Sequence, residues 1–201
     1  MPDVRKATAA DIEPLSRALA RAFEDDPLTE FITPERNRLA RLERFFASDL
    51  RHIHLPHDEV WTTTEGHQGG ALWAPPGKWR RTPAEALRSA PTMLRVLGRR
   101  TPQALSVLSA IERAHPPGDH YYLGGLGTDP AHQGTGVGSA VLAPVLARCD
   151  EEGIGAYLES SKEKNVPFYN RHGFEVTREL QLPNGGPPIW LMWREPKLDR
   201  L

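Results

Sequence analysis

Three groups of residues in the second half of the chain have the types and spacing to do chemistry. The first is the run Gln133-Gly134-Thr135-Gly136-Val137-Gly138. Glycine at alternate positions lets the backbone turn tightly and come close to a ligand. A helical pattern begins where the run ends, so free N–H groups and the positive end of a helix dipole converge there, and a phosphate or pyrophosphate is the natural guest. The second is Glu159, the charged member of the strand-like run AYLESS, residues 156–161. An unpartnered carboxylate is costly to bury, so Glu159 is either held in a structural pair or serves as a base toward an ammonium, directly or through water. The third is Asn165 with Tyr169, four residues apart and therefore on one side of a short helix that Gly173 ends. A phenol of pKa about 10 keeps its proton at neutral pH and can still give it to a departing thiolate.

These groups need elements to position them. Upstream of the glycine run, HYYLGGLGT reads as a strand interrupted by Gly124, Gly125 and Gly127, which marks a bulge or a close backbone approach. Downstream, Val137, Val141, Val145 and Cys149 recur every fourth residue and make one apolar helical stripe. Pro144 lies inside that helix and removes the partner of the Ala140 carbonyl, so a kink is expected. The run matches neither of two familiar phosphate loops: no Gly-Lys-Ser/Thr follows, and Ser139 stands where the dinucleotide fingerprint needs Gly or Ala. A flexible loop that merely contains glycines is the competing interpretation. In AYLESS, alternation puts Tyr157 and Glu159 on one face and Leu158 and Ser160 on the other.

The glycine run, the proline inside the following helix, YLESS and NVPFYNRHGF, in that order and spacing, resemble the GNAT family of N-acetyltransferases, and within it the puromycin-acetylating type. The resemblance is dense between Tyr121 and Phe174 and looser in the N-terminal half. It implies a GNAT fold, an α/β (α+β) domain with a mixed, mostly antiparallel sheet of about seven strands and helices on both faces. It implies acetyl-CoA as co-substrate, with Gln133, Gly134, Thr135, Gly136, Val137, Gly138 and Ser139 holding its pyrophosphate. Pantetheine would pair as a pseudo-strand with Leu126, Gly127 and Thr128, a backbone N–H near Leu126 would stabilise the thioester oxyanion, and Asn165 would bond the pantetheine amides or cap a helix. Tyr169 takes the role of acid and Glu159 that of candidate base. Asp26, Phe31, Phe46 and Trp73 become candidates to touch the acceptor, with loop or core roles as the alternatives. The acceptor implied is a small-molecule primary amine, such as an aminonucleoside or other antibiotic. A protein or peptide N-acetyltransferase and a coenzyme A-binding regulatory module without turnover are the alternatives.

The rest of the chain bounds these expectations. Its 201 residues suit one domain, 1–201, and 25 Lys+Arg against 26 Asp+Glu give a net charge of −1, which implies no general pull toward nucleic acid or anionic lipid. No apolar run approaches the ~20 residues of a membrane span and the N-terminus lacks a signal-peptide core, so a cytoplasmic protein, monomer or homodimer, is expected. The single cysteine, Cys149, falls on the apolar stripe and reads as core. VRKAT suggests a short strand. Thr8 or Asp11 caps an amphipathic helix carrying Ile12, Leu15, Leu19, Ala22 and Phe23, which stops at Asp26-Pro27. Thr33-Pro34 predicts the start of a second helix. His52, His54 and His57 lack the spacing of a metal site, and none is expected. EVWTTTEG and QGGALWAPPG predict a hairpin. Residues 82–116 predict a helical insertion whose two halves each begin Thr-Pro, and FEVTRELQL with PIWLMWRE predicts a closing hairpin in which Trp190 and Trp193 pack, with lining of the acceptor site as the alternative.

Overall fold

The computed structural model describes residues 1–197. Strand β1 (Val4–Lys6) leads into helix α1 (Ile12–Ala22), whose stripe of Ile12, Leu15 and Leu19 is buried. Pro27 ends nothing further; it opens a short helix, α2 (Pro27–Ile32), which Asp26 caps by accepting from the Thr29 N–H at 3.0 Å. The Thr33-Pro34 helix start is therefore not realised. The Thr33 N–H is used to close α2 on the Thr29 carbonyl, and α3 (Arg38–Asp49) begins after Asn37, which adopts the left-handed conformation. One π-helical turn, Leu50–His54, and a 3-10 turn, Leu55–His57, carry the chain into the sheet.

The hairpin of β2 (Val60–Thr63) and β3 (Gly69–Ala74) forms as expected. The insertion folds as α4 (Pro83–Leu97), with a Thr82–Glu85 capping box, and α5 (Thr101–Ala114), which Thr101 opens as its first residue rather than its cap. It is anchored to the helices before it. The Arg41 guanidinium donates to the carbonyls of Arg95 and Val96 at 2.6 Å, and Arg100 and Gln103 donate to the Phe31 carbonyl.

Central strand β4 (Tyr121–Thr128) is followed by α6 (Val137–Glu152), β5 (Ala156–Ser160), α7 (Val166–Arg171) and the closing hairpin of β6 (Glu175–Gln181) and β7 (Pro188–Arg194). The seven strands lie in the order β1-β2-β3-β4-β5-β7-β6, antiparallel except for β4 beside β5. Alternation along β3 sends Leu72 to one face, where it packs with Leu15, Leu19, Phe46 and Val60 under α1 and α3. It sends Ala71 and Trp73 to the other, against Val141, Leu142 and Val145 of α6 and Leu158 of β5. The two helical layers thus bury one sheet on both faces, with each fully buried Leu or Val contributing roughly 1.5–3 kcal/mol. Cys149 is fully buried in the second layer, and burial pushes its thiol up to about 12, consistent with a packing residue.

Close backbone contact joins β3 to β4. A Cβ on Gly69 would lie 2.4 Å from the Gly127 carbonyl oxygen, so one strand would have to shift against the other. Gly69→Ala is expected to cost about 1–3 kcal/mol, as overpacked cores do, read as a lowered urea midpoint at unchanged m-value.

Candidate active site

The site is created by a parting of strands. β4 and β5 pair only over Tyr121–Leu123 and Ala156–Leu158, whereas β4 stays paired with β3 as far as Thr128. The register between β3 and β4 slips at Leu72/Trp73 and passes over Gly124, a bulge at the position where the glycines predicted one. From there to Thr128, alternate N–H and C=O groups of β4 face a gap instead of a strand.

The mouth of the gap on one side is the glycine run. Gly134 and Gly136 have φ of +77° and +88°, values that side chains with a Cβ rarely adopt. The first helical bond of α6 is donated by Ala140 to the Gly136 carbonyl, so the N–H groups of Val137, Gly138 and Ser139 have no helical partner. The turn is fastened to its surroundings. Gln133 donates to the Thr128 carbonyl at 3.3 Å, and buried Asp129 accepts from Arg21 of α1 and from the Ala131 N–H. The groove along this edge, about 450 Å³, is lined by Leu126, Gly127, Thr128, Gln133, Gly134, Gly136, Val137, Gly138, Ser139 and Asn165. Thr135 is outside it; its hydroxyl turns back to the His132 carbonyl at 2.6 Å. Lys162, Lys164 and Arg171 also line the groove, three cations that the sequence pattern did not single out, and Asp25 beside them pairs with both lysines. Unpaired helical N–H groups, an unpaired strand edge and three cations fit the pyrophosphate and amide-bearing arm of a coenzyme A thioester.

The groove leads into a narrow throat of about 80 Å³. Leu126, Asn165 and Tyr169 line both; Asp26, Gly124, Glu159 and Ser161 line the throat and a second cavity beyond it. Tyr169 is 7% exposed, and burial, followed by the negative charge of Asp26, raises its phenol well above the ordinary value. It is a reserve of one firmly held proton. Asn165 makes no capping hydrogen bond at α7, which leaves its side chain to the groove. Glu159 accepts from the Tyr122 hydroxyl at 2.9 Å with one oxygen, and its other oxygen is buried without a partner.

The second cavity, about 270 Å³, is walled by α1, α2, α3, α4 and α5. Phe23, Leu28, Ile32, Phe45 and Phe46 give it apolar walls, and Asp26, Asp49 and Glu159 give it negative charge. Asp49 is already paired, with Arg81 at 2.9 Å and His54 at 3.1 Å. Two of the expected acceptor residues lie elsewhere. Trp73 is fully buried against α6 because alternation on β3 turns it to the opposite face, where Leu72 and Ala74 take the cavity side. Phe31 packs toward Leu182 and Gly186, because α2 starts at Pro27 and so presents Leu28 and Ile32, one turn apart, to the cavity. Among the described residues no group of three or more His, Cys, Asp or Glu could hold a metal ion, and no helix is long and apolar enough to cross a membrane.

A split parallel pair with a glycine turn on one lip and a tyrosine-bearing helix on the other defines an acyltransferase. The acetyltransferase (GNAT) family model matches residues 57–174, more than half of the chain, and the protein belongs to that family. It is 26% identical over 208 residues to an uncharacterized N-acetyltransferase of Schizosaccharomyces pombe, covering 97% of this chain and 84% of that one. The structure is similar to that of histone acetyltransferase HPA2 and related acetyltransferase from Corynebacterium glutamicum, with TM-score 0.75 and 27% identity over 100% of this chain and 99% of that chain. The fold also matches Drosophila melanogaster polyamine N-acetyltransferase, which forms N-acetylagmatine, with TM-score 0.60 and 18% identity over 96% and 98% of the two chains.

The raised phenol gives a direct check. The phenolate absorbance that distinguishes the native protein from Tyr169→Phe is expected to show no step near the ordinary pKa of about 10; a step there would place the hydroxyl in water.

Proposed function

We propose that this protein transfers the acetyl group of acetyl-CoA to the primary amine of a small molecule while both are bound. The observation that carries this is the throat, in which Tyr169 and Glu159 are lining residues between a cationic groove and an anionic, apolar-walled cavity. The groove holds the donor through the free N–H groups at the start of α6 and through Lys162, Lys164 and Arg171. The acetyl thioester lies in the throat, where β4 backbone around Leu126 faces its carbonyl oxygen. The acceptor enters as an ammonium, attracted by Asp26 and Glu159, and its apolar remainder packs on Phe23, Ile32 and Phe46.

The nitrogen loses two protons in the reaction. One leaves through Glu159 before attack, because only the neutral amine has a lone pair to give. The other balances the proton that Tyr169 supplies to the coenzyme A thiolate. Nothing in this sequence requires the acetyl group to rest on the protein. The walls raised by α4 and α5 favour a small amine over a peptide, and the rings of Phe23, Phe45 and Phe46 that line the cavity beside them favour acceptors with an aromatic or apolar body, puromycin and other antibiotic amines among them.

The test is free-thiol release from acetyl-CoA with puromycin, agmatine and 2-phenylethylamine. Tyr169→Phe is expected to lower kcat by about 100-fold with the KM for acetyl-CoA little changed, as loss of a general acid does. Acetyl-CoA binding without thiol release from any amine of the panel would overturn the assignment in favour of a coenzyme-binding module.

A further inference from the structure

At the wall of the acceptor cavity facing away from the groove, the insertion delivers a histidine to the candidate base. His115 ends α5, and its side chain is 2% exposed beside Glu159, which is 10% exposed. The ring is held on every side. Trp79 stacks on it at 3.7 Å, and Tyr122 and Tyr157 meet it edge-on at 5.0 and 4.8 Å.

The hydrogen bonds around this ring fix where its protons are. Nδ1 of His120, just before β4, lies 2.9 Å from the Gly118 carbonyl. A carbonyl only accepts, so this Nδ1 carries a proton. Burial, and after it the neighbouring His115, pushes His120 below the ordinary histidine range, so the ring is neutral and its Nε2 is bare. That Nε2 lies 2.8 Å from Nε2 of His115, which must therefore be the donor. In the neutral ring this leaves His115 Nδ1 without a proton, 3.6 Å from Glu159 Oε1. Oε1 is buried without a hydrogen-bond partner, Oε2 is occupied by the Tyr122 hydroxyl, and the Tyr157 hydroxyl, itself buried without a partner, is the other donor turned toward Glu159. Two acceptors face one another, and a single added proton would satisfy both.

We propose that His115 is a positioning residue for proton removal: it stores, by way of Glu159, the proton that the acceptor ammonium must lose, and His120 holds it in the tautomer that leaves Nδ1 free to do so. This rests on Glu159 as the base. The ammonium N–H bond breaks, the nitrogen keeps the electron pair, and the proton passes to Glu159 Oε1 and then to His115 Nδ1. The result is an imidazolium beside a carboxylate, discharged to solvent when product leaves the cavity. No electrons are transferred. The other charged or titratable groups acting on the cluster are Tyr122 on β4, Tyr157 on β5, Arg178 on β6, Arg81 in the loop after β3, Glu112 on α5 and Asp119 in the loop before β4.

The proposal is tested in two ways, one independent of any acceptor. Nitrogen-15 imidazole spectra of the protein are expected to show His120 with its proton on Nδ1 and His115 with a proton on Nε2. His120 protonated on Nε2 alone would overturn the tautomer argument. In the kinetic test, with the best amine of the panel, His115→Gln is expected to lower kcat/KM by about 10- to 100-fold at neutral pH, the size of a lost proton-transfer contribution. The deficit should shrink as the pH approaches the amine's own pKa, where the acceptor arrives neutral; the same deficit at every pH would mean a purely structural role. His120→Asn keeps the bond to Gly118 and removes the acceptor for His115, so it should reproduce the pattern more weakly, and equal activity at all pH values would contradict it. Glu159→Gln with His115→Gln should fall no further than Glu159→Gln alone, because the two act in series. A large loss in Glu159→Gln with none in His115→Gln would remove the relay and keep the base. Little loss in Glu159→Gln would remove the base itself.

Discussion

The central strand cannot satisfy both of its neighbours along its whole length. β4 holds β3 from Tyr122 to Thr128 and holds β5 for three residues only, so beyond Leu123 and Leu158 the sheet opens. The slip at Gly124 and the 2.4 Å approach that a Gly69 Cβ would make to the Gly127 carbonyl commit β4 to the β3 side. The chain leaving β4 turns into the glycine run at one lip of the opening, and the chain leaving β5 turns into α7 at the other. The glycine turn and the buried tyrosine therefore owe their places on the two lips to one pairing defect. Because parallel strands give up little by ending early, a polar-edged cleft is formed in the middle of the sheet, between the outer strands β1 and β6.

Charge divides the cleft into two ends. The groove carries helical N–H groups, Arg171, and Lys162 and Lys164 with their partner Asp25, while the cavity carries Asp26, Asp49, Glu112 and Glu159 against Lys78 and Arg81. Asp49 is neutralised by Arg81 and His54. Asp26 accepts only from the Thr29 N–H and the Ser161 hydroxyl, and among the described residues it has no cationic partner. A carboxylate buried in that way favours any cation that enters, which matches an acceptor that arrives as an ammonium. Burial, and after it the same charge, keeps the Tyr169 proton in place. One aspartate thus serves attraction at one end of the throat and proton retention at the other.

Much of this was legible in the sequence because the informative residues are local. Alternate glycines before an apolar four-residue repeat describe a turn into a helix whatever surrounds them, and the strand alternation of AYLESS puts Glu159 opposite Leu158 by geometry alone. What failed turned either on a choice between neighbouring local patterns or on contacts distant in sequence. Asp26-Pro27 and Thr33-Pro34 are both plausible helix starts; only the first is used, because α2 spends the Thr33 N–H on its own last turn. Trp73 and Phe31 are turned away from the cavity, since a one-residue offset on a strand or a quarter turn on a helix changes the face. His115 was missed for a related reason. It stands at the end of an insertion with no local pattern, and its meaning comes from Glu159, His120 and Trp79, which tertiary folding brings to it.

The central claim is direct transfer between two substrates that meet in the throat. Initial velocities measured over a grid of acetyl-CoA and amine concentrations test it most directly, together with mass analysis of the protein after incubation with acetyl-CoA alone. Intersecting reciprocal plots and an unmodified protein mass are the predicted result, because both substrates must be bound before the acetyl group moves. Parallel plots with a stable acetyl adduct on the protein would contradict it and require a covalent carrier that this account does not contain.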